Sequence, residues 1–165
     1  MPRKQLASST PAPRKTLPAA GEGKRGEAGH IAYLLRQAHG AVRAALDTAL
    51  AEAGLTSPQF LVLNLLDAYP GISGAELARL GQLTPQTINL VVRRLERDAL
   101  VARDAHETHG RVLRVALTAA GRKRLKLGKR YADRIEDRLL AGMDAQTARH
   151  VRRWLVAVAT TQLGG

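Results

Sequence analysis

Apolar residues recur at helical spacing along most of this chain. Ile31, Leu34, Leu35, Ala38, Val42, Ala45, Leu46, Ala49 and Leu50 follow one another at intervals of one, three or four, which predicts a long amphipathic helix from Ile31 to near Gly54. "LTSPQFLVLNLL" then sets Thr56 three residues before Gln59, the arrangement in which hydroxyl and amide satisfy each other's backbone donors, so a second helix runs to about Ala68. In "YPGISGAELARLG", Pro70 and Gly71 break the chain, and Ser73 with Glu76 reopens it as a short third helix. Gly81 is expected to stop that helix by taking a positive φ. Thr84 is an N-cap and Pro85 a first helical residue for a fourth helix reaching Leu100. Beyond it, Leu113, Val115 and Leu117 alternate with Arg114 and Ala116 as in a half-buried strand. "LVARD" and "RVLRVAL" flank the polar loop "AHETHG" and make a hairpin. Thr118 caps a fifth helix to about Ala141, and a sixth spans about Ala145 to Gln162, apolar at Val151, Trp154, Leu155 and Val158.

Ser73 to Leu100 thus reads helix, tight turn at Gly81 to Leu83, longer helix, and the hairpin behind it is a wing. The fold class is mainly α, a winged helix-turn-helix with six helices. At about 100° per residue, Ile88, Val91, Val92 and Leu95 share one side of the fourth helix, and Gln86, Asn89, Leu90, Arg93 and Arg97 the other. Amides and a threonine precede the arginines, the order expected of a helix entering a major groove by its N-terminal end. Leu90 on that polar side suits either a thymine methyl or cover for the wing. Arg111 follows Gly110 at the hairpin tip, placed to enter a narrow minor groove. A solvated face is the plainer reading of such a helix alone; its setting makes it a recognition surface.

Composition changes this picture in three places. The 26 Lys and Arg against 14 Asp and Glu give a net charge of +12, which favours a polyanionic partner, nucleic acid before an anionic membrane. Residues 1–29 hold six of the basic residues and two acidic ones among prolines and glycines without periodicity, and read as a disordered basic arm. The absence of cysteine excludes disulfides, thiolate metal sites and a cysteine-based peroxide sensor. No apolar run approaches a membrane span and the N-terminus has no secretory apolar core, so the expected location is cytoplasmic.

The segments "LTSPQFLVLNLL", "GISGAELARL", "QTINLVVRRLERDALV" and "GRVLRVALTAAG", in this order and spacing, resemble the multiple-antibiotic-resistance regulator (MarR) family of winged-helix transcription factors from Gly29 onward. The resemblance implies a homodimer interlocking through the first, fifth and sixth helices. It also implies two lobes on successive major grooves of a pseudo-palindromic operator, and a small-molecule pocket where dimer helices meet the lobe. On this division residues 30–54 and 119–165 serve dimerisation and 55–118 form the DNA-binding lobe. Thr84, Gln86, Thr87 and Asn89 match positions that meet bases or nearby phosphates, Arg94 a basic position near the backbone, and Arg111 the wing arginine. Ser73, Leu90, Arg93 and His109 complete the candidate DNA-contacting set. His109 and Gly110 stand where the family usually has an Asp-Arg pair, Leu90 where an arginine is frequent, and Ala99 where a glycine usually ends the recognition helix.

Tyr33, Arg36, His39 and Arg43 form a ridge on the first helix that faces either a partner subunit or a pocket for an anionic aromatic acid. Phe60 and Asn64 are further ligand candidates. "RKRLKLGKR" opens the fifth helix with six basic residues in nine, to be offset by phosphate or by Asp133, Glu136 and Asp137. His106 and His109 with Glu107 are a poor metal set, and no cofactor is expected. Without a glycine-rich phosphate loop, nucleophile elbow or paired carboxylates, enzymatic chemistry finds no support. The expected function is a dimeric, sequence-specific DNA-binding regulator, a repressor released by a small aromatic carboxylate or phenol. The alternative is an architectural protein that binds nucleic acid without sequence preference. A winged helix used only for protein contacts and a polycationic membrane-surface protein are weaker rivals.

Overall fold

The computed structural model describes residues 18–104 and 114–161. They fall into two compact units divided between Gly40 and Ala41.

In the first unit, residues 18–29 carry local turn structure. Gly23–Arg25 forms a 3-10 turn, Ala19 N donates to Glu22 Oε2 at 2.8 Å, and Arg25 donates to the Pro18 carbonyl at 2.8 Å and to Gln37 Oε1 at 3.2 Å. The glycines that suggested disorder supply the positive φ this turn needs, +89° at Gly21 and +50° at Gly23. Helix α1 follows as Ile31–Ala51, its residues from Ala41 onward belonging to the second unit.

In the second unit, α2 (Ser57–Ala68), α3 (Gly74–Gly81) and α4 (Pro85–Arg97) lead into the strands β1 (Val101–Asp104) and β2 (Arg114–Leu117), then α5 (Ala119–Leu140) and α6 (Ala145–Thr160). The strands pair antiparallel, with Val101 opposite Leu117 and Arg103 opposite Val115. Leu50, Val62, Leu63, Leu77, Ile88 and Leu95 are the most deeply buried large side chains. Each contributes about 2 kcal/mol of burial before the entropy of ordering is counted. Ile88, Val91, Val92 and Leu95 are the buried face of α4, as the periodicity predicts.

Local cap chemistry accounts for the helix starts. Thr56 with Gln59, and Ser73 with Glu76, form reciprocal capping boxes. Thr84 accepts from Thr87 N at 3.1 Å, and Thr118 from Gly121 N at 2.9 Å. Asp144, unnoticed in the sequence, caps α6 through the amides of Gln146 and Thr147. The bonds to Thr147 lead those that hold the Asp144 carboxyl below its usual range.

Helix ends differ more from expectation. The left-handed residue after α3 is Gln82, at φ +51°, rather than Gly81. Gly81 instead serves packing, since a side chain there would meet Leu61 of α2 at 3.4 Å. α1 stops at Ala51 rather than near Gly54, which makes the following turn at φ +64°. α4 stops at Arg97 rather than Leu100, because the chain reverses through Ala99 at φ +55°. An alanine held there costs roughly 1–2 kcal/mol, partly offset in a glycine variant by a more flexible unfolded chain. Ala99→Gly is therefore expected to gain about 0.5–1 kcal/mol, read as a higher urea midpoint at unchanged slope.

Candidate nucleic-acid interface

Burial of four apolar residues turns the opposite side of α4 outward. Gln86, Asn89, Arg93, Arg94 and Arg97 are exposed there. Among the described residues their side chains make no hydrogen bond or ion pair, so these amides and guanidinium groups remain available to a ligand. Leu90 is 71% exposed, an apolar side chain standing outside the core on the polar side of the helix. At the head of the helix, the hydroxyls of Thr84 and Thr87 lie 2.9 Å apart, beside backbone donors that favour an anion. His109 and Arg111 lie outside the described residues.

Ser73 is differently placed. Its hydroxyl donates to Glu76 Oε2 at 2.7 Å and accepts from Glu76 N at 3.2 Å, so its proton is already committed to the α3 cap. The Ser73 amide and hydroxyl in turn hold the Glu76 carboxyl below its usual range.

The basic run at the head of α5 is divided between internal and external roles. Arg122 donates to the Leu117 carbonyl at 3.0 Å, Arg124 to the Ala53 carbonyl at 2.9 Å, and Lys129 pairs with Asp67 at 2.7 Å. The acid offsetting Lys129 thus comes from α2, while Glu136 pairs with Arg152 of α6 at 2.6 Å. Lys123, Lys126 and Arg130 are exposed on a cleft of about 840 Å³ floored by Ala51, Ala53, Leu100 and Leu127, with Glu52 and Asp98 also on its wall.

Tyr33, Arg36 and His39 are exposed on α1. Arg43 is also exposed, and lies 3.8 Å from Asp47. Phe60 and Asn64 do not line the cleft: the Phe60 ring packs on the core beside Gly128, and Asn64 donates to the Phe60 carbonyl at 3.2 Å. Sequence reasoning also missed the Glu96 to Arg103 ion pair between α4 and β1, made through Nε and, at 3.1 Å, Nη2. The signal was present, for Glu96 follows Arg93 by three on the exposed ridge and Arg103 follows buried Val101 by two. Among the described residues no group of three or more His, Asp or Glu side chains could hold a metal ion, and no helix is long and apolar enough to cross a membrane.

A short helix and a longer one set about a tight turn, backed by an antiparallel hairpin and presenting a free amide and arginine ridge, define a winged-helix protein. The MarR family model matches residues 53–112. The HTH-type transcriptional repressor Rv2887 of Mycobacterium tuberculosis is 39% identical over 125 residues, covering 76% of this chain and 90% of that one. The chain belongs to the MarR family. Two solved structures of Rv2887 are similar to it. The complex with DNA has a TM-score of 0.68 at 34% identity, covering 80% of this chain and 99% of that chain. The complex with salicylic acid has a TM-score of 0.66 at 38% identity, covering 79% and 96%.

Proposed function

We propose that this chain is a dimeric repressor that binds a pseudo-palindromic operator and leaves it when a small aromatic carboxylate or phenol binds. The observation that carries the reading is the α4 ridge, where Gln86, Asn89 and Arg93 stand exposed without partners among the described residues. An amide can bond an adenine edge at two points and an arginine a guanine edge, so this ridge can read sequence. Thr84, Thr87 and Arg94 flank it as phosphate contacts, and Arg111 keeps the minor-groove role that the sequence assigns it. Rv2887, a repressor with a DNA complex and a salicylic acid complex, supports both halves of the proposal.

Residues 55–118 serve as the DNA-binding lobe and the flanking helices join two copies. Tyr33, Arg36, His39 and Arg43 supply a ring, an imidazole and guanidinium groups suited to an aromatic acid. The protein performs no catalysis on this reading and acts in the cytoplasm, where the operator is.

The test is selection from a random DNA pool at about 150 mM salt, where non-specific phosphate binding is weakened. The expected product is a palindrome with half-sites about 10 base pairs apart. Asn89→Ala should cost about 1–3 kcal/mol on that duplex and relax the preference at one position per half-site. Recovery of unrelated sequences would favour the architectural alternative and overturn the proposal.

A further inference from the structure

Glu96 is the only acid in α4, and it lies on the ridge that carries Gln86, Asn89 and Arg93. At about 100° per residue it falls within roughly 20° of Asn89. A bare carboxylate in that place would repel the phosphates the ridge is built to meet. It is not bare. The Arg103 guanidinium donates to both of its oxygens, and the two side chains keep only 24% (Glu96) and 40% (Arg103) of their exposure. Two parallel bonds from a planar fork fix orientation as well as distance, which a single contact between flexible side chains does not.

The position of Arg103 gives the pair its leverage. Val101, on the same face of β1, is buried in the core, so the side of the strand that faces α4 passes from packing to an ion pair within two residues. At its base the hairpin is fastened by Thr118, whose hydroxyl donates to the Ala99 carbonyl at 2.8 Å. Further out, among the described residues, the tie to α4 is Arg103 on Glu96.

We infer that Glu96 and Arg103 form a clamp that sets the hairpin's angle against the recognition helix, so that one operator half-site meets both at once. The inference rests on the DNA-binding reading above. These are positioning residues, and a simpler role makes the opposite prediction. If Arg103 only masked the Glu96 charge, Glu96→Gln would leave the ridge more cationic and tighten DNA binding. A clamp predicts loss.

The experiment uses the full chain and its Glu96→Gln, Arg103→Gln and charge-swapped Glu96→Arg/Arg103→Glu variants. Each is titrated against the selected operator and a scrambled duplex of equal length, at about 150 mM salt. Glu96→Gln should weaken operator binding about five- to ten-fold while changing the scrambled duplex less than about two-fold. Arg103→Gln, which also removes a cation, should lower both, the operator more. The swap, which leaves net charge unaltered, should recover most of the lost operator preference. Glu96→Asp, which keeps the charge but shortens its reach, gives a second test should Glu96→Gln fail to fold, and should show an intermediate loss. Tighter or unchanged operator binding by Glu96→Gln, or an equal loss on both duplexes, overturns the clamp alone. A wild-type chain that does not distinguish the duplexes overturns the regulator reading and the clamp with it.

Discussion

The double variant Trp154→Glu/Leu155→Glu is expected to sediment as a folded monomer and to bind the operator at least about 100-fold more weakly than the wild type. Val151, Trp154 and Leu155 lie three and four residues apart on α6 and are 38%, 44% and 45% exposed. Such a stripe on a charged helix is the mark of a surface that another chain covers. Because these side chains stand outside the core cluster, replacing them should leave the circular dichroism spectrum and the lobe intact. Two carboxylates placed in an apolar interface cost several kcal/mol, on the order of what removes a dimer at micromolar concentration. The DNA effect follows from geometry, since joining two lobes makes the second half-site contact intramolecular, and separate lobes forgo that gain. Sedimentation velocity and operator titration are read together. A wild-type monomer would sink the dimer reading, whereas a variant that stayed dimeric would move the interface away from α6.

Gly121→Ala is expected to destabilise the chain by about 3 kcal/mol. Gly121 is buried in the first turn of α5, and a Cβ there would overlap the Leu100 carbonyl oxygen. That oxygen also accepts from Thr118 N at 3.1 Å and from the Thr118 hydroxyl at 3.2 Å. Both sides of the collision are backbone, so no rotamer change relieves it. Either α5 lifts from the turn after α4 or the Thr118 bonds break. Gly74→Ala is the control, because a side chain there meets nothing within 4 Å and alanine is the better helix former. Urea unfolding should show a lower midpoint for the first variant and an equal or higher one for the second. Equal stability of Gly121→Ala and wild type would contradict the close contact.

What could be read from the sequence was local. The buried face of α4 follows from the spacing of Ile88, Val91, Val92 and Leu95, and the caps at Thr56, Ser73, Thr84 and Thr118 from a hydroxyl at a helix entrance. The outward ridge was legible for the same reason, as the complement of the buried one. Features that depend on distant residues were not. Arg124 and Lys129 read as part of a cationic surface, but their acceptors lie 71 and 62 residues away in sequence. The cleft beside them is assembled from the ends of α1 and α4 and the head of α5, which no one segment announces. Turn geometry failed more subtly. Glycine permits a positive φ without requiring it, so Gly81 drew the assignment that belongs to Gln82, while Ala99 concealed one.

The seam between the hairpin and α5 bears on whether the lobe can exist alone. Leu125 is 2% exposed within the same core as Leu63 and Leu95, and Arg124 fastens the turn after α1. A fragment cut at Thr118, where the winged element ends, would lack both and open its core to water. The lobe is therefore not an autonomous module that could be excised or transplanted by its strands and first helices. The first two turns of α5 belong to the lobe's core, so the helix assigned to joining two copies also completes the hydrophobic interior of each.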